Sequence, residues 1–201
     1  MRARGIILLV IVVVVAACSP EKRAMNSFRY GKYENVISYY KGVLRKQSGN
    51  GPANYYIAES YRLSNRIQEA EPFYAKAGGR GIDSDSVKLF YAKSLQANSK
   101  YDEARTVLES LESEAKGEKL KDRAQKENDE LKYLEKLSKK KSYYKIKNLE
   151  AINTPFTEYN PVYSNNDLYS TSSRANAKIY EATGTPFTDI YKAETSGANV
   201  N

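Results

Sequence analysis

The sequence predicts a mainly α chain: a stack of helical hairpins followed by a short β segment. Three observations predict it. Small and apolar residues recur at a fixed spacing through residues 24–112. A highly charged stretch with a helical apolar stripe follows at 116–142. From Tyr143 onward the 3.6-residue period is lost, and short runs of Tyr, Ile, Val and Thr appear, broken by Pro155 and Pro161.

The chain opens with Arg2 and Arg4, then Gly5–Ala17, an unbroken run of 13 apolar residues. As a helix this run spans about 20 Å, short of the ~30 Å hydrocarbon core of a bilayer, and it has the length of a secretory h-region. Ala16 and Ala17 lead into Cys18, the only cysteine. The stretch resembles a lipobox, with Val15 where Leu is commonest. That resemblance implies a signal peptide at 1–17, cleavage before Cys18, lipidation of the Cys18 thiol, and a lipidated linker at 18–23. It gives an unpaired thiol in an exported chain a use. Ser19 in place of Asp after the cysteine implies anchoring in the outer membrane, and the mixed charge of "SPEKR" favours the periplasmic face.

Next comes the repeat. Ala24, Ala58 and Ala92 are evenly spaced. At the same interval stand Tyr33, Ile67 and Tyr101; Val36, Ala70 and Ala104; Tyr40, Tyr74 and Leu108; Val43, Ala77 and Leu111. "RYGKY" (29–33), "LSNRI" (63–67) and "ANSKY" (97–101) read as turns within hairpins. "QSGNGP" (47–52) and "GGRGIDSD" (78–85) read as loops between them. In period and in pattern this resembles the tetratricopeptide repeat: a small residue in the first helix, an aromatic before the second, Ala within it and an aromatic four later. The resemblance covers residues 24–115 as three repeats and implies a short helical solenoid, in which small residues allow close helix approach. It also implies a protein-binding groove, whose candidates are Tyr55, Glu59, Arg62, Leu89, Lys93 and Gln96.

Residues 116–142 leave the repeat register, since Lys126 falls on the small-residue position. Leu120, Ala124, Leu131, Leu134 and Leu137 form a stripe at helical spacing, so this segment reads as a long helix capping the last repeat. Its terminal lysines, 139–141, suit the negative end of a helix dipole. The charge is uneven along the chain: residues 116–147 hold 12 basic and 6 acidic side chains, and residues 148–201 hold 3 and 6.

In the last segment, "PVYSNNDLYSTSSR" (161–174) reads as two strands around an Asn-Asn-Asp turn, and "AKIYEATGTPFTDIYKA" (177–193) as two more around a Gly-Thr-Pro turn. Pro161, Tyr163, Asp167, Leu168, Tyr169, Ser172 and Arg174 resemble the signature of a PD40 blade of a WD40-like β-propeller. Ser170 stands where that signature usually has a second aromatic. Residues 143–201 suffice for one blade, against the four to eight of a propeller, so they read as an incomplete propeller segment.

In this order, lipobox, repeats, helix and blade resemble the N-terminal part of outer-membrane lipoproteins of the OmpA family associated with type IX secretion and gliding. The resemblance implies an envelope scaffold, tethered by lipid and binding envelope proteins through its repeats. Peptidoglycan would be a partner only through a further C-terminal domain. Two alternatives stay open: a substrate-binding lipoprotein for glycan uptake, and an outer-membrane assembly factor. Composition argues against catalysis. There is no histidine, so no imidazole base, and one cysteine allows neither a zinc cage nor an internal disulfide. "GGRG" (78–81) is not followed by Gly-Lys-Ser/Thr and is no phosphate loop. No enzyme activity, cofactor, metal or nucleic-acid partner is expected.

Overall fold

The structure, a computed structural model, describes residues 19–141, 143–144, 148–150, 152–174, 178–196 and 199–200. The expected signal peptide and Cys18 lie outside the described residues. The chain divides into two compact units between Lys139 and Lys140. Among the described residues the first unit is helical and the second consists of short antiparallel strands.

Six helices make three hairpins: α1 (Pro20–Arg29) with α2 (Tyr33–Leu44), α3 (Gly51–Leu63) with α4 (Ile67–Tyr74), and α5 (Ser84–Ala97) with α6 (Tyr101–Glu114). A seventh, α7 (Glu118–Ser138), follows, and each helix packs on the next in sequence. The first helix of every hairpin starts on a side-chain cap. Ser19 Oγ accepts from the Lys22 amide at 3.3 Å, Asn50 Oδ1 from Ala53 at 2.9 Å and Asp83 Oδ1 from Asp85 at 3.2 Å. These bonds satisfy amides that the helix itself cannot. Pro20 and Pro52 sit in the first turn, where a missing N–H costs nothing. Residues 20–23, expected as linker, are therefore the first turn of α1.

The turns inside the hairpins repeat in detail. Gly31, Asn65 and Ser99 hold left-handed backbone at φ 71°, 58° and 60°. The next residue then donates its amide five positions back: Lys32 to Ser27 at 2.9 Å, Arg66 to Tyr61 at 2.8 Å, Lys100 to Leu95 at 2.9 Å. This bond closes each first helix and satisfies a terminal carbonyl. The second helices follow at once.

Burial follows the repeat register except at Tyr33, Ile67 and Tyr101, of which the first two are half-buried and Tyr101 is exposed. Ala24, Ala58 and Ala92 are buried, as are Val36, Ala70 and Ala104, and Tyr40, Tyr74 and Leu108. At the next position Leu111 is buried, while Val43 and Ala77 are half-buried. The first two hairpins share an aromatic core in which Tyr40 stacks on Tyr56 at 5.2 Å and Phe28 meets Tyr56 edge-on at 5.5 Å. The third hairpin and α7 share a leucine core of Leu89, Leu95, Leu108, Leu111 and Leu131. At the open end of the second hairpin, the α-carbon of Gly51 lies against the Gly78 peptide, and any Cβ there would collide with the Gly78 carbonyl.

α7 covers the third hairpin with its first two thirds only. Ala124 and Leu131 are buried and Leu120 packs beside them, but Leu134 is 49% exposed and Leu137 40%. This corrects the expectation of a stripe covered throughout. The reason lies in the preceding hairpins. There, the turn of the next hairpin folds over the second helix: Arg66 bonds Glu34, Asn98 bonds the Gln68 carbonyl and Glu71, and Lys100 bonds Glu71. α7 runs straight through the corresponding position and meets the start of α6 only across an open trough, where Arg105 reaches Glu135 at 3.4 Å.

The second unit is a four-stranded antiparallel sheet, order β1 (Glu158–Ser164), β2 (Asp167–Ser172), β5 (Asp189–Ser196), β6 (Asn199–Val200), plus a small hairpin of β3 (Ile179–Tyr180) and β4 (Thr185–Pro186). Asn165 and Asn166, both at positive φ, form the two-residue turn expected from "SNND". The second expected turn lies earlier than read: residues 181–184 turn, Gly184 takes φ 67°, and Thr185 and Pro186 are already strand. A bulge at Asn160 and Pro161 interrupts β1, where proline's missing donor is tolerated on an edge strand.

One side of this sheet is pinned by Glu158. Its carboxylate accepts from Thr154 Oγ1 at 2.5 Å, the Thr154 amide at 3.1 Å and Ser172 Oγ at 2.8 Å. Arg174 joins the cluster, donating to Ser172 Oγ at 2.9 Å and to the Ile152 carbonyl at 2.6 Å, with its guanidinium 4.7 Å from the Tyr191 ring. These bonds, led by that from Thr154, hold the Glu158 carboxyl below its usual range.

Candidate interaction face

Five of the six predicted groove residues lie half-buried or buried along one linked face of α3, α5 and α7; one does not. Leu89 is 1% exposed and belongs to the leucine core. It offers no surface to a ligand, which corrects the groove assignment at that position. Its neighbour Phe90 takes the place, one repeat after Tyr56 and half-exposed.

The face is built on a buried carboxylate. Glu59, one turn before the end of α3, is 7% exposed. Arg62 grips it through two bonds, Nε at 3.0 Å and Nη2 at 2.6 Å, and the Tyr74 hydroxyl donates to it from α4. The pairing strengthens Arg62's hold on its proton, and burial followed by the Glu59 bond pushes the Tyr74 hydroxyl upward. Tyr55 is raised by burial and then by Glu59. Both tyrosines are therefore neutral at physiological pH, and Tyr74 acts as a donor.

The Arg62 guanidinium lies 4.2 Å above the Phe90 ring, and Tyr74 stacks on the same ring at 6.2 Å. Arg123 of α7 approaches Phe90 at 5.9 Å. Lys93 Nζ sits 2.6 Å from Glu127 Oε1, joining α5 to α7. Gln96 is half-buried one turn further along α5. Two cations thus flank one aromatic ring, and Glu59, Arg62, Tyr74, Phe90, Lys93 and Arg123 are each held by a bond or a ring contact.

Such a face can bind by stacking and by charged hydrogen bonds with little loss of side-chain entropy, because its groups are already fixed. Sequence reasoning missed Phe90, Tyr74, Arg123 and Glu127. The first two were legible as the next-repeat partners of Tyr56 and Tyr40. The last two were not, since α7 leaves the repeat register. Among the described residues no group of three His, Cys, Asp or Glu side chains could hold a metal ion, and no helix is long and apolar enough to cross a membrane.

No family model matches the chain, and no curated protein matches it.

Proposed function

We propose that this chain is a lipid-anchored scaffold of the bacterial outer membrane that binds an envelope protein through tetratricopeptide-type repeats. The observation that carries the reading is the recurrence, at one fixed interval, of one hairpin with one turn geometry, at Gly31, Asn65 and Ser99. Stacked hairpins of this kind serve as binding surfaces, and the Arg62–Phe90–Arg123 face gives the partner an aromatic platform flanked by cations. Cys18 supplies the tether, at the periplasmic face. The strand unit resembles one PD40 blade, in keeping with an OmpA-type lipoprotein of a type IX secretion or gliding complex.

The test joins two measurements on the full chain in cells. Labelled fatty acid enters the wild type, and Cys18→Ala takes up no label and leaves the outer-membrane fraction. Affinity capture of the wild type recovers an envelope protein that Arg123→Glu/Lys93→Glu loses. Label on the alanine variant removes the tether, and capture unchanged by the charge reversals removes the face.

A further inference from the structure

The second half of α7 combines two features with no role in the stack. Leu134 and Leu137 line an open trough of about 720 Å³ together with Tyr101 and Arg105. Beside them Tyr133 is 59% exposed. Leu137 follows Tyr133 by four residues and Leu134 by three, so the three span one broad arc of about 100° on the helix. Lys132, Lys136 and Lys139 are spaced four and three apart and share the neighbouring arc, all exposed.

Charge separates the two halves of the helix. Residues 131–141 hold five lysines and one acid, whereas 118–130 hold four basic and five acidic residues. Lys132 pairs with Asp129 and Lys139 with Glu135, but both pairs are exposed and contribute little. Lys136 has no ion-pair partner among the described residues. An exposed apolar arc beside a row of lysines is the arrangement of a helix lying at a lipid interface, with lysine stems along the apolar edge and ammonium groups among headgroups.

From this juxtaposition we infer that the C-terminal half of α7 is a membrane-contact surface for anionic lipid. An acidic protein segment fits less well. The trough that would hold it carries the carboxylates of Asp102 and Glu135, and the lysine row lies outside its lining. A lipid surface approaching Tyr133 and Leu137 meets the lysine row, with Asp129 and Glu130 on the N-terminal side of Tyr133. The inference adds to the tethered reading: the lipid at Cys18 would bring the chain to a bilayer, and α7 would lay this end of the stack on it.

The test uses the full chain incubated with vesicles of phosphatidylcholine alone or mixed with phosphatidylglycerol. Lysine acetylation is then mapped by mass spectrometry. Lys132, Lys136 and Lys139 react about fivefold more slowly with the anionic vesicles than with the neutral ones, as expected for lysines held at an anionic surface. Lys46, Lys76 and Lys119, exposed elsewhere, do not change. Leu134→Ser/Leu137→Ser shortens the protection and makes it vanish at high salt. Equal reactivity in the two vesicles overturns the inference, as does equal protection of the control lysines. Protection seen in cells but not on vesicles overturns it in favour of an acidic protein partner. Loss of label at Cys18 with the lysines still protected rejects the tether and leaves this surface standing.

Discussion

Asn65 and Ser99, at equivalent positions of successive hairpins, hold the same left-handed backbone and are each followed by a basic residue whose amide closes the preceding helix. Asparagine tolerates this conformation; serine does so less readily, and a β-branched residue suffers most. Ser99→Gly is therefore neutral or stabilising, by up to about 1 kcal/mol once glycine's entropy is offset, and Ser99→Val costs about 2 kcal/mol. Urea melts followed by helical circular dichroism measure both. Equal midpoints for glycine and valine would show that the turn is not under this constraint.

Gly51 gives a test of opposite sign. It opens α3, where alanine is favoured over glycine by about 1 kcal/mol on helix propensity alone. Its α-carbon, however, lies against the Gly78 carbonyl, so a methyl group forces the start of α3 away from the chain leaving α4. Gly51→Ala is expected to lower stability by about 1–3 kcal/mol. A stabilised variant would mean that Gly51 and Gly78 do not approach so closely.

The buried Glu59 makes its partners essential. Tyr74→Phe removes one donor and costs about 1–2 kcal/mol; Arg62→Ala removes two and leaves a poorly compensated carboxylate, at about 3 kcal/mol. The double variant costs less than the sum, because both changes act on the same carboxylate. Strict additivity in a double-mutant cycle would place the three groups in separate environments.

Acid should act on the contact between the second and third hairpins. Bonds from Lys100 and Asn98 hold the Glu71 carboxyl below its ordinary value of 4.5. A carboxyl depressed in the folded state contributes stability above that ordinary value and loses it as pH falls through the folded one. Tm of the wild type therefore falls on acidification below about pH 4.5, and Glu71→Gln, less stable at neutral pH, loses less over the same range. Parallel Tm–pH curves for the two proteins would remove Glu71 from the acid response.

How far the sequence foretold the structure depended on whether a feature was local. The hairpins were legible because alanines 58, 92, 70 and 104 mark close helix contacts, and the Asn165–Asn166 turn because asparagine suits positive φ. Leu89 was misplaced because the repeat register gives Tyr55 and Leu89 equivalent positions, and only packing separates them: Leu89 joins Leu108 and Leu111, while Tyr55 stays half-buried at the edge of the aromatic core. The stripe of α7 was legible too, but its partly covered state was not. That depends on the absence of a turn near residue 132, a property of the stack and not of the stripe.

The central claim is that the face around Phe90 binds a protein, and site-specific photo-cross-linking in intact cells tests it most directly. A photoreactive phenylalanine analogue replaces Gln96, on the face, or Glu109, exposed on α6. The account predicts one discrete higher-mass adduct from position 96, lost with Arg123→Glu/Lys93→Glu, and none from position 109. No adduct at 96, or the same adducts from both positions, would contradict it.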